Sequence, residues 1–412
     1  MWTKSTVKEN IMKIVFHRYG SIVEPDIIAA FKKFNIDVVE EDMEITNKSI
    51  DSDTRIKVLG EAILENRPEF VFSINYFPYI SSICETLSVK YVALSVDCPV
   101  LEIYSETIHN SCNHIFLFDY NQYESIKDEN PEGIFYMPLG TNVDRWDETL
   151  GKPQYGNIDY KYDVSFVGSL YAEKSMIRSM QFDEADRGYI DAMLKAQSLM
   201  SDLAILKEVF RDEAPKKRIV DAIKKADGSL FKKYSLSDPI IDTEAYVAIE
   251  NVLGFELSAR DRIDLFEALG SQNVDIDIFT RSDRDLISSP SIKLHDGVTT
   301  HTQMPEIFRY SKININHTMR CIETGIPQRV WDIMGCGGLV LTNYTAEIPE
   351  YFEIGEDLLC YETKADCLEL IQYFKSHDDE REAIARSGYE KVKNLHTYEI
   401  RVAAILKEVL GE

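Results

Sequence analysis

The sequence predicts an α/β protein of two domains, each built on a parallel sheet. Three observations carry that prediction. Short β-rich runs alternate with amphipathic helical stretches from Lys13 to about residue 150, and the alternation resumes at Tyr162, the pattern of parallel sheets covered on both faces. Between these halves, residues 151–161 are polar and rich in Gly, Pro and Tyr, the composition of a linker. Finally, 412 residues exceed one ordinary domain, and a 44% hydrophobic composition supplies proper cores. The expected division is 1–150, a linker at 151–161, a second domain at 162–395 and a terminal helix at 396–412 that packs back toward the first domain.

In the first half, Lys13-Ile14-Val15-Phe16-His17 reads as a strand. The loop Arg18-Tyr19-Gly20-Ser21 follows it, then a helix with Ile27, Ile28, Phe31 and Phe34 on its apolar side. Residues 54–66 read as a further helix. Strands are expected at Glu69–Asn75, Tyr91–Val96, His114–Phe118 and Gly133–Met137, ending respectively at Asn75, Asp97, Asp119 and the run Pro138-Leu139-Gly140-Thr141-Asn142-Val143-Asp144. Ligands of such sheets bind beyond the carboxyl ends of the strands, where His17, Asn75, Asp97 and Asp119 all fall.

The second half opens with the strand Tyr162–Val167 running into Gly168-Ser169. A glycine and serine at a strand end let backbone approach a phosphate closely, although such a pair is also an ordinary turn. Residues 171–272 read as a helical insert in three segments, about 171–211, 215–227 and 242–271, punctuated by Pro215, Gly228 and Pro239. Its Lys216, Lys217, Arg218, Lys224, Lys225, Lys232 and Lys233 read as a solvated helix face, with acceptor or partner contact as the alternative. Strands resume at Asn273–Thr280, Ile292–His295 and Lys312–Asn316, with a helix at Met304–Tyr310. Asp275 and Asp277 sit on one face of their strand, a solvent-facing pair unless a metal is held there. Asn316, His317 and Arg320 follow the last of these strands and are expected to line a crevice. His317 there reads as either a site residue or a structural imidazole.

The stretch from Gly325 to Thr342 reads as turn, helix, glycine turn and strand. Pro327 suits the first helical position, Gly337 and Gly338 suit the left-handed helix end, and Leu339–Thr342 reads as a buried strand. Arg329 and Asp332, three apart, share one face near the helix start. Helix N-termini carry unpaired N–H groups and partial positive charge. An arginine there makes a phosphate site, and a carboxylate one turn on accepts ribose hydroxyls; the plainer reading is a surface ion pair on an amphipathic helix. Asn343–Glu350, with Glu347, is a further loop facing the crevice. Two helices at 364–376 and 378–394 and the terminal helix at 397–410 complete the chain.

The net charge of −25 argues against nucleic acid or an anionic membrane as partner, and requires that any anionic ligand be held by a local cluster of donors. Seven cysteines, an odd number without a CxxC or zinc spacing, fit reduced thiols in a cytoplasmic protein. The first twenty residues show no signal peptide, and no apolar run approaches the ~20 residues of a transmembrane helix.

From Tyr162 to about Leu395 the chain resembles the C-terminal module of CgeB-like glycosyltransferases. The residues that carry the likeness are Asp163–Ser169, Lys312–Asn316, Gly325–Gly338, Leu341–Tyr344, Arg386-Ser387-Gly388 and His396-Thr397-Tyr398. Val96–Pro99, Phe116–Asp119 and Pro138–Asp144 are similar to the domain that precedes that module. The resemblance implies a GT-B fold, two Rossmann-like domains facing across a cleft, here with a helical insert in the second. It also implies sugar transfer from a nucleotide-diphosphate sugar, with a UDP-sugar as the expected donor, to a glycan, protein or small-molecule acceptor, with no cofactor and no metal. Arg329 would then bind the diphosphate and Asp332 the ribose, with Gly168 and Ser169 opposite. Asn316, His317, Arg320, Gln328 and Glu347 join them as substrate-binding candidates, and Tyr19, Gly20 and Asn75 stand on the acceptor side. Many retaining GT-B enzymes carry two glutamates eight residues apart. Here Thr324 stands at the first position and Glu323 one removed, which leaves inversion open.

If the reaction inverts, a general base must come from the N-terminal domain. Asp97 is the first candidate, against a role as helix cap, and His17 the second. A sugar-nucleotide epimerase on the same scaffold and a non-catalytic nucleotide-sugar-binding scaffold protein are the competing readings.

Overall fold

The computed structural model describes residues 11–47, 49–156, 158–200 and 204–411. Residues 201–203 of the expected insert, and the first ten residues searched for a leader, lie outside them. Twelve strands form two parallel six-stranded sheets. The first comprises β1 (Lys13–His17), β2 (Asp37–Glu41), β3 (Phe70–Ile74), β4 (Lys90–Leu94), β5 (Asn113–Leu117) and β6 (Ile134–Tyr136), in the order β2-β1-β3-β4-β5-β6. The second comprises β7 (Tyr162–Val167), β8 (Ile276–Thr280), β9 (Ile292–Asp296), β10 (Ser311–Asn316), β11 (Val340–Asn343) and β12 (Leu359–Tyr361), in the order β12-β11-β10-β7-β8-β9. Both are Rossmann-like, as the sequence predicts. Strand order reverses direction between β1 and β3 in one sheet and between β7 and β10 in the other. At such switch points the loops diverge to opposite faces and leave a crevice.

β2 is the strand that sequence patterning misses. Its Asp37, Glu40 and Glu41 depress β-propensity, and only tertiary pairing with β1 over Lys13↔Asp37 to His17↔Glu41 makes it a strand. As an edge strand it bears charge where a central strand would not.

The insert is more broken than its pattern suggests. Two 3₁₀ turns (Ala172–Lys174, Met176–Arg178) precede helices Glu184–Gln197, Ala204–Arg211 and Glu213–Ala226. A long run then passes from a π-helical stretch at Val247–Gly254 into Phe255–Ser271. Pro215 does not punctuate; it lies in the first turn of Glu213–Ala226, where its missing N–H has no helical acceptor to lose. The basic residues of the insert are largely neutralised: Lys216 pairs with Glu213 and Asp242, Lys217 with Asp221, Arg218 with Asp186, Lys224 with Glu244 and Lys225 with Asp183.

The domains share one apolar seam. Phe118, Leu139, Val143 and Trp146 of the first pack with Val330, Trp331, Ile333 and Met334 of the second. The terminal helix Tyr398–Leu410 inserts Tyr398, Val402, Ile405 and Val409 into the first domain's core beside Ile27, Phe31 and Phe70. Among the described residues no helix is long and apolar enough to cross a membrane.

Candidate functional site

The switch point of the second sheet is where charge gathers without compensation. β7 runs into Gly168, whose N–H donates to the Phe279 carbonyl, and a Cβ there would sit 3.1 Å from the Phe166 ring. Ser169 closes the next turn on itself: its hydroxyl donates to Glu173 (2.5 Å) and accepts the Tyr171 N–H (2.8 Å). Tyr171 takes a left-handed φ of +63°, which presents Lys174 to the crevice. From the helix Phe255–Ser271, Arg262 reaches across the strand ends. It donates to the carbonyls of Ser169 and His317 and lies over the Tyr171 ring at 4.3 Å.

Arg329 enters from the helix Gln328–Gly335, in contact with Met304 Sδ and 5.4 Å from the Phe308 ring centroid. Among the described residues Lys174, Arg262 and Arg329 form no ion pair. Burial lowers the pKa of both arginines; for Arg329 the Asp332 charge opposes that fall and the Arg262 charge adds to it. In a protein of net charge −25, three cations near one tyrosine with no ion pair among the described residues make an arrangement able to hold an anion.

Across from Tyr171 and Lys174, the N-terminal domain contributes Tyr19, Asn75 and Asp97 to a shared cavity of about 430 Å³. Asn75, at φ +58°, organises this wall. Its amide donates to Tyr19 Oη (2.9 Å) and Asp97 Oδ2 (2.7 Å), and its carbonyl oxygen accepts the N–H groups of Val96 and Asp97. Burial, then the Asp97 charge, raises the pKa of the Tyr19 hydroxyl. Asp97 is exposed and caps no helix; the segment after it forms short 3₁₀ turns. Gly20 stands apart from this wall. The N–H groups of Tyr19, Gly20 and Ser21 all donate to Glu24 Oε1 at 3.0 Å, so the loop's amides are already used.

A larger cavity of about 740 Å³ opens beyond β10, β11 and β12, lined by His317, Asn343, Tyr344 and Tyr361 among others. His317 shares a 2.8 Å hydrogen bond with Tyr361 Oη, and burial drops its pKa to about 4, so it is a neutral imidazole. Such a lining suits a nucleoside. Asn316 lies beneath it, donating to Thr318 and Thr342. Arg320 also lines this cavity but is engaged: its guanidinium meets both oxygens of Asp261 (2.5 and 2.9 Å) and carbonyls of the insert. It ties the insert to the domain.

Several candidates lie on the domain seam instead. Asp332 is 6% exposed and forms no ion pair with Arg329; its Oδ1 accepts from Thr141 (2.7 Å) and Gln328 (2.9 Å). Gln328 also donates to the Gly140 carbonyl and accepts from Tyr398. Glu347 accepts from the Tyr120 N–H, Thr324 and Tyr136. His17 is fully buried, with Nδ1 2.6 Å from Glu41 and Nε2 3.0 Å from Tyr79, so it orders β1 against β2 and does not reach the cavity.

The helix start is arranged differently from expectation as well. Pro327 is the residue before the helix, at ψ 155°, and the amides ahead of it are occupied from across the seam. Asp119 Oδ2 accepts the N–H groups of Glu323, Thr324 and Gly325 at 2.8, 2.9 and 3.0 Å. Of the two turn glycines, only Gly337 has positive φ (+79°). Gly338 is required for space, because a Cβ there would lie 2.4 Å from the Phe308 carbonyl oxygen. Asp275 is exposed and Asp277 pairs with His295 at 2.6 Å. No group of three or more His, Cys, Asp or Glu among the described residues is placed to hold a metal ion.

Sequence reading missed Arg262 and Lys174. Lys174 follows the Gly-Ser turn by five residues and was legible as a cation near it. Arg262 sits in an amphipathic helix with nothing local to distinguish it.

Two Rossmann-like domains with a shared cavity between their strand ends form the GT-B architecture. Residues 262–407 match the glycosyl transferase-like family. No curated protein matches the chain. Among solved structures, the chain is similar to a sucrose-phosphate synthase of Thermosynechococcus elongatus, at 9% identity and TM-score 0.51, with 97% of this chain and 99% of that one covered. It is likewise similar to HepE of Anabaena solved with UDP-glucose, at 9% identity and TM-score 0.50, with the same coverage.

Proposed function

We propose that the protein is a metal-independent glycosyltransferase of CgeB-like type that moves a sugar from a nucleoside diphosphate, with UDP as the nucleotide, to an acceptor hydroxyl. One observation carries this reading: Lys174, Arg262 and Arg329, which form no ion pair among the described residues, gather near Tyr171 at the switch point of the second domain, and Tyr171 and Lys174 line one cavity with the exposed Asp97. The diphosphate lies among Lys174, Arg262 and Arg329, and the nucleoside occupies the cavity beside His317 and Tyr361. The bond from the anomeric carbon to the phosphate oxygen breaks, and its electron pair leaves on the diphosphate, stabilised by fixed cations in a desolvated site. The acceptor oxygen bonds to the anomeric carbon, and its proton passes to Asp97, held in place by Asn75. The glycosyl transferase-like family match supports sugar transfer, and the UDP-glucose seen in HepE supports a uridine donor. Seven free cysteines, most of them buried, suit a reducing, cytoplasmic setting.

The test is a thermal-shift and calorimetric screen against UDP-, GDP-, dTDP- and CMP-sugars, followed by Arg329→Met. Hydrogen bonds to charged groups contribute ~1.5–3 kcal/mol, so the variant should bind the correct nucleotide roughly 10- to 150-fold more weakly. Removing a buried cation that has no ion pair should leave the unliganded protein at least as stable. Full binding in the variant, or no nucleotide sugar bound by the wild type, refutes the assignment.

A further inference from the structure

The insert and the N-terminal domain enclose a cavity that the donor site does not use. It measures about 480 Å³, and its walls include Tyr104, Gln122, Tyr246, Glu250 and the Cys98–Pro99 turn. Its polar groups are unusual in lacking partners. Gln122 Oε1, Tyr246 Oη and Glu250 Oε2 are each removed from solvent and have no hydrogen-bond partner among the described residues. Gln122 is itself only 8% exposed. Native interiors satisfy nearly all such groups, so three orphans around one cavity call for an occupant.

Two of the three orphans come from adjoining parts of one helical run. Tyr246 is the last residue of the helix Thr243–Tyr246, and Glu250 lies in the π-helical stretch Val247–Gly254 that continues it. π-Helical segments recur at functional sites. Spaced four apart, the two side chains share one side of the helix. Tyr104 of the N-terminal domain packs against Tyr246 with ring centroids 5.1 Å apart, giving the cavity an aromatic wall.

The chemistry of the occupant follows from what these groups lack. The side-chain amide oxygen accepts hydrogen bonds and calls for a donor, while the phenol and the Glu250 carboxyl, as acid or carboxylate, can pair with either a donor or an acceptor. Hydroxyl groups provide both. Aromatic faces pack against the C–H face of a sugar ring. The lysine in the lining, Lys207, is already paired with Glu323. Burial, with the Glu323 and Asp119 charges adding to it, pushes the Glu250 pKa up to about 7, and the acidic Asp119, Glu129 and Glu323 in the same lining disfavour an anion. The same Cys98–Pro99 turn also walls the cavity that holds Asp97, so the two spaces lie back to back across it.

We propose that the helical insert builds a saccharide subsite against the N-terminal domain, which holds an uncharged, hydroxyl-rich glycan and directs its end past the Cys98–Pro99 turn toward Asp97. That this glycan is the acceptor rests on the transferase reading; that the cavity binds it does not. The test is calorimetry and saturation-transfer NMR on the full chain without nucleotide, using maltotetraose, cellotetraose, chitotetraose and the anionic tetragalacturonate. At least one neutral tetrasaccharide should bind. Tyr246→Phe and Glu250→Leu, each removing one orphan, should weaken that binding roughly tenfold or more, while the UDP-induced thermal shift, which also reports the fold, stays at the wild-type value.

Absence of binding by every neutral probe overturns the inference and leaves a water-filled void. It is equally overturned by equal binding of tetragalacturonate, or by variants that bind as the wild type does. Saccharide binding without any nucleotide response would retain the subsite and remove the donor assignment.

Discussion

Asp332→Asn separates a ribose ligand from a structural carboxyl. Burial pushes the Asp332 pKa from 3.8 up to about 6, against the opposing pull of Arg329, Gln328 and Thr141. A folded pKa above the unfolded one means that the native state binds the extra proton between about pH 4 and about pH 6. Native stability therefore falls as pH rises through that window, and the deficit is complete above it. A shift of about two units at ~1.36 kcal/mol each sets the cost near 3 kcal/mol at about pH 7.5, and near 1 kcal/mol at about pH 4.5.

Asparagine keeps the oxygen that accepts from Thr141 and Gln328 but carries no charge. The variant should therefore exceed the wild type in stability by up to ~3 kcal/mol at the higher pH and by far less at the lower. Denaturant unfolding of both proteins at the two pH values measures this, and groups common to both cancel in the difference. UDP binding should change much less than in Arg329→Met. A variant no more stable than wild type near neutrality, or one that loses nucleotide binding, refutes the placement of Asp332 on the seam.

Two further outcomes test the seam and the packing beneath it. Asp119→Ala removes the acceptor for three consecutive amides. Amide exchange at residues 323–325 should then quicken by roughly tenfold or more, the equivalent of one charge-assisted hydrogen bond of ~1.5–3 kcal/mol, and small-angle scattering should show a larger radius as the domains part. Unchanged exchange would mean that other groups hold the loop. Gly338→Ala forces a methyl against the Phe308 carbonyl and Asn314. It should cost about 1–3 kcal/mol of stability, read as a lower melting temperature, and an unchanged melting temperature would refute the close approach.

Much of the architecture was legible locally. The alternation of β-rich and amphipathic segments and the glycine turn at 337–338 each reflect short-range rules of side-chain periodicity and backbone sterics. β2 was hidden because an acidic edge strand owes its form to its neighbour. The site was legible in part. Strand-end positions such as Asn75, Asp97 and Gly168 follow from topology, since parallel sheets put all their carboxyl ends on one side. What those positions do depends on neighbours distant in sequence.

The sequence by itself determined where the two sheets, their turn glycines and their polar strand ends would lie, because these depend on residues within a turn or two of one another. Only the tertiary structure decided which charges are spent. Arg320 looked free and is held by Asp261, fifty-nine residues earlier; Arg262 looked ordinary and stands unneutralised at the switch point. Ion pairing is a through-space property of desolvated groups, and spacing along the chain carries no record of it.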